Sequence, residues 1–84
     1  MSREKRRMRE LKHAQICLRK ALAMQEKTNV EIRSFIKMIW NKGYNSQMNT
    51  YANELALGRA KVRAFQYALG DIKKRIKMWN RKLS

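Results

Sequence analysis

The sequence predicts an all-α protein: a long antiparallel helical hairpin, in effect a two-helix coiled coil, pairing with a second copy into a four-helix bundle. Three observations lead there. Proline is absent from the 84 residues, and the three glycines stand at 43, 58 and 70, so a helix meets few interruptions. Apolar residues recur at alternating spacings of three and four, the signature of a heptad seam. One polar stretch, WNKGYNSQ at 40–47, gathers the turn-forming residues and divides the pattern into two halves.

The first half predicts a helix over about 3–42, with Met8, Leu11, Gln15, Leu18, Leu22, Gln25, Asn29, Ile32, Ile36 and Ile39 as its seam. Gly43 suits a left-handed residue ending that helix, and Asn45 or Ser46 suits the cap of the next, in a turn over about 43–46. The second helix, about 46–83, carries Met48, Tyr51, Leu55, Gly58, Val62, Phe65, Leu69, Ile72, Ile76, Trp79 and Leu83 without a slip of phase. Each helix is roughly 60 Å long at about 1.5 Å per residue, and the two form a single helical domain over residues 1–84. A short connection between long helices makes them antiparallel neighbours.

Two sites argue for breaks. Thr28 and Glu31 have capping-box spacing, and Gly70-Asp71 reads as a helix end followed by a cap. Both seams stay in phase through these sites, so continuous helices are expected, with residues 25–29 the place for any bend.

Folding at 43–44 pairs positions whose numbers sum to about 87. Ile36 then meets Tyr51, Leu18 meets Leu69, Met8 meets Trp79, and Asn29 falls opposite Gly58. Asn29 has two readings: a buried polar residue that pins the register, or a half-exposed one beside a kink. Trp40 and Tyr51 are expected to close the turn end of the bundle, with Tyr44 solvated.

Apolar area remains outside the seam. Ile16, Ala23 and Val30 form one row of the first helix and Cys17, Met24 and Met38 the next, while Ala14, Ala21 and Phe35 widen the seam. One partner helix cannot cover that perimeter. Ile16, Cys17, Met24, Val30 and Met38 therefore read as the interface for a second copy or a helical partner protein.

The charge is lopsided: 21 Lys and Arg against six Asp and Glu, a formal +15. Arg3, Lys5, Arg6, Arg7, Arg9 and Lys12 face two acids within residues 1–12, a net +4. Lys73, Lys74, Arg75, Lys77, Arg81 and Lys82 face Asp71 within 71–84, a net +5. An antiparallel hairpin brings both segments to one pole, where an incoming polyanion relieves their repulsion. Nucleic acid, DNA or RNA, is the leading partner, held by phosphate contacts that weaken steeply with salt. No zinc-finger ligand spacing or aromatic single-strand signature specifies a base.

Catalysis has little to draw on. His13 is the single histidine and sits among cations, the acids are scattered, and no glycine-rich phosphate loop is present, so no enzyme activity, metal or cofactor is expected. Cys17 is the lone cysteine, which suits a reducing intracellular compartment, cytoplasm or nucleoid or nucleus. Neither a secretory signal nor a membrane span is read from the chain, and no membrane partner is expected. The expected function is that of a small basic helical nucleic-acid-binding protein, regulatory or architectural. The alternative is a protein-binding adaptor or inhibitor that docks its Met- and Ile-rich helix face on a larger protein or assembly.

Overall fold

The structure, a computed structural model, describes residues 3–43 and 45–83. Two helices, α1 (Arg3–Lys42) and α2 (Asn45–Leu83), pack antiparallel into a rod of 61 × 15 × 14 Å. The hairpin is the fold that the two seams predict.

Gly43 ends α1 with a φ of 79°, in the left-handed region, and its amide donates to the Trp40 carbonyl at 3.2 Å. That bond satisfies one carbonyl that the helix end would otherwise leave open, and Lys42 in the last turn faces the negative end of the helix dipole. The second helix starts at Asn45, so Ser46 lies within it. The Asn45 side chain lies outside the described residues, as does Tyr44.

Neither candidate break interrupts a helix. The Thr28 hydroxyl donates back to the Met24 carbonyl at 3.0 Å, a bond made inside a helix rather than at its start. Ser34 does the same to Val30 at 3.1 Å. At Gly70 the helix runs on, and Asp71 pairs forward with Arg75 at 3.0 Å, one turn along the same helix.

The core is the seam. Met8, Asn29 and Ile39 of α1 are buried, and so are Leu55, Gly58 and Leu69 of α2. The other seam residues named above are half-buried, apart from Leu83 at the last turn, which is 41% exposed. Two helices cannot enclose a side chain from every direction, and no described side chain is sealed from solvent.

Of its two readings, Asn29 follows the buried one. It is 8% exposed and receives a 3.0 Å hydrogen bond on Oδ1 from Gln25 Nε2, one turn earlier. Gly58 makes room for it: a Cβ built there would overlap Asn29 Oδ1 and crowd both Asn29 Cγ and Gln25 Nε2 at 3.0 Å.

The turn end differs from expectation. Trp40 is 67% exposed and closes nothing; its neighbour Ile39, at 6%, occupies the seam position there. Trp40 stands one residue beyond the seam, where the helix has turned its side chain outward. Tyr51 is half-buried and stacks on Phe35, ring centroids 6.0 Å apart at 13°.

Candidate nucleic-acid interface

The antiparallel packing places the two basic segments side by side. Arg7 and Leu11 of α1 line one cleft with Arg75, Met78 and Trp79 of α2. Lys12, Gln15, Ile16 and Arg19 line another with Lys73, Ile76 and Lys77. All twelve of the terminal cations read from the sequence, Arg3 to Lys12 and Lys73 to Lys82, are exposed at this end of the rod. Burial anchors the pole: Met8 is 6% exposed, and Trp79 is half-buried in the opposite seam.

The cations differ in what holds them. The Lys82 ammonium lies 4.8 Å from the Trp79 ring centroid, so the ring face orients it. The Arg75–Asp71 pair has side chains 60% and 54% exposed. An ion pair that wet contributes little, and a phosphate competes for the guanidinium at small cost. His13 is exposed near this end, its Nε2 3.6 Å from Cys17 Sγ one turn on.

A second cationic groove lies nearer the middle of the rod. Arg33 of α1 faces Arg59 and Arg63 of α2 across a floor of Asn29, Val30 and Val62, with Glu26 and Gln66 at its edge. Sequence reasoning passed over Arg19, Arg33, Arg59 and Arg63. A usable signal was present: residues 12, 19, 26 and 33 recur every seven, as do 59, 66 and 73, so each set keeps to one flank of its seam. The two grooves therefore open on the same side of the hairpin.

Of the residues read as one apolar interface, Val30 and Met38 line one hollow on the outer face of α1 with Glu31, Ser34 and Phe35. The five so read are all exposed, Ile16 at 50%, Met24 at 71%, Val30 at 59% and Met38 at 46%, with Cys17 beside them. Ile16 and Val30 each line a cationic groove. Cys17, Met24 and Met38 share a row of seven-residue spacing turned the other way, toward the flank that holds Phe35 and Arg7. Leu57 at 58% and Met78 at 51% occupy the matching row of α2.

Among the described residues, no three His, Cys, Asp or Glu side chains come together as a metal-binding group would require. Nor is any described helix long and apolar enough to cross a membrane. Compared with family models, curated proteins and solved structures, the chain matches none of them.

Proposed function

We propose that the protein binds nucleic acid through phosphate contacts made by the basic pole, in a regulatory or architectural role. The observation that supports this reading is the meeting of both charged segments at one end of the rod, with Arg7 and Arg75 on one cleft and Lys12, Lys73 and Lys77 on another. Cations fixed on paired helices have lost freedom before the ligand arrives, which lowers the cost of binding. Six phosphate contacts would weaken binding by about a thousandfold between 50 and 200 mM salt.

The test is a titration into labelled duplex DNA, single-stranded DNA and structured RNA at both salt concentrations. Binding at 50 mM that collapses at 200 mM is expected. Reversing Arg6, Arg7, Lys74 and Arg75 to Glu should abolish it with helicity unchanged. Absence of binding to all three ligands at 50 mM removes the proposal.

The exposed side chains of Met24, Met38 and Leu57, away from the basic pole, favour a second copy as the protein partner. The chain exposes 6970 Å², against about 5,300 Å² for a compact monomer of its mass. A second hairpin would cover this flank most readily between the pole and the turn, because Glu31 and Glu54 stand there and offset its cations, whereas Glu26 is the sole carboxylate on either cationic groove among the described residues. Sedimentation should give a dimer that Met24→Asp converts to a monomer. A wild-type monomer that forms a nuclease-resistant complex with another protein, lost on Met24→Asp or Met38→Asp, would favour the adaptor reading instead.

A further inference from the structure

We infer that the nucleic acid lies lengthwise along one side of the hairpin, its backbone bridging the pole groove and the central groove. This inference rests on the nucleic-acid reading above and adds the path of the ligand and a second set of contacts.

The geometry comes from the two grooves. One is lined by Lys12, Arg19, Lys73 and Lys77, the other by Arg33, Arg59 and Arg63. Corresponding positions, such as Arg19 and Arg33 or Lys73 and Arg59, are 14 residues apart in both helices. Fourteen residues are two heptads, so the two clusters point the same way and lie about 21 Å apart along the rod. Each is a cleft between helices with an apolar floor, Ile16 and Ile76 in one, Val30 and Val62 in the other. Arginine and lysine stems can rest on such a floor and hold their charged heads at the rim.

A ligand held only at the pole would leave three arginines gathered around the central groove with one carboxylate, Glu26, among them. Nucleic acid supplies what this spacing needs: a repeating anion that extends past 21 Å without interruption. A single phosphate or a short oligonucleotide fills one groove and cannot bridge both. The feature that matches the two-heptad spacing is the repeating phosphate, so the contacts inferred are to the backbone.

The experiment compares DNA hairpins with stems of 3 and 18 base pairs, about 10 and 61 Å long at about 3.4 Å per pair, so that only the longer one spans the distance between the grooves. Arg33→Glu combined with Arg63→Glu is set against a flank pair, Lys20→Glu combined with Lys27→Glu, which makes the same charge change on exposed residues of α1 that line neither groove. For the long stem, the groove pair should lose tenfold or more in affinity at 50 mM salt. Its salt slope should fall by about 1.8, for two phosphate contacts. The flank pair should lose less than threefold, and the short stem should bind both variants nearly as it binds the wild type. Arg33→Gln with Arg63→Gln repeats the test without added repulsion, and circular dichroism checks that each variant is helical.

Equal losses from the groove and flank pairs would overturn the inference in favour of diffuse attraction. Loss on reversal at the pole with no loss from the groove pair would also overturn it, while leaving the nucleic-acid reading standing. A wild-type protein that binds neither stem would remove both.

Discussion

Asn29 and Gly58 meet across the seam so closely that the glycine's missing side chain is part of the contact. In the interior of an exposed helix, replacing Gly with Ala ordinarily stabilises by about 0.5–1 kcal/mol, because glycine is costly to order. At Gly58 that gain is outweighed. The added methyl overlaps Asn29 Oδ1, and Gln25 is hydrogen-bonded to that atom, so making room for the methyl disturbs the bonded pair. Gly58→Ala should destabilise by about 1–3 kcal/mol. Gly70→Ala, exposed and with nothing within 4 Å of the new carbon, should stabilise instead. Chemical denaturation of the two variants should give opposite signs. Adding Asn29→Ala to Gly58→Ala should recover part of the loss, because it removes the overlapping atoms.

Gly43 responds to a third kind of constraint. Its surroundings are open, with nothing within 4 Å, but its φ is 79°. Ala at that position should cost about 1–2 kcal/mol from backbone conformation alone. Gly43→Asn should cost less, since Asn tolerates the left-handed region. The same denaturation series measures both, and equal losses for Ala and Asn would mean that the turn had rearranged.

Much of this fold was legible because a heptad seam is redundant. Each seam position repeats the message of its neighbours, and the facing seam checks it, so polar members such as Gln15, Gln25 and Asn29 could be carried by the phase of the rest. At Trp40 phase decides burial and nearness to the turn does not: it lies one residue from Ile39, enough to rotate it into water. The site was half legible for a related reason. The terminal cations are neighbours in sequence, so their density is visible to the eye. Arg19, Arg33, Arg59 and Arg63 are dispersed along the chain and become a group only when α1 and α2 are laid side by side.

Glu26 offers a test in the direction of gain. It shares the central groove with Arg33, Arg59 and Arg63 and repels any phosphate that enters. Glu26→Gln should tighten binding of an 18-base-pair stem by about two- to fivefold at 50 mM salt, with most of the gain lost at 200 mM. Glu31→Gln makes the same change in net charge on the outer surface of α1, beside Phe35 and Met38, and should give a smaller gain. Fluorescence anisotropy on the two variants compares them directly. An equal gain from both would assign the effect to total charge.

The two tryptophans report on opposite ends of the rod. Trp79 is half-buried at the pole with Lys82 over its ring, and Trp40 is 67% exposed beside the turn. Single-tryptophan proteins, made with Trp40→Phe or Trp79→Phe, separate their emission. Without ligand, acrylamide should quench Trp40 more strongly than Trp79, as exposure requires. A 3-base-pair stem bound at the pole should change the emission of Trp79 by drawing Lys82 toward phosphate, and should leave Trp40 nearly unchanged. The reverse result, with Trp40 responding first, would place the contact at the turn, where Asn41 and Lys42 follow Trp40 in the chain, and would make the pole a bystander.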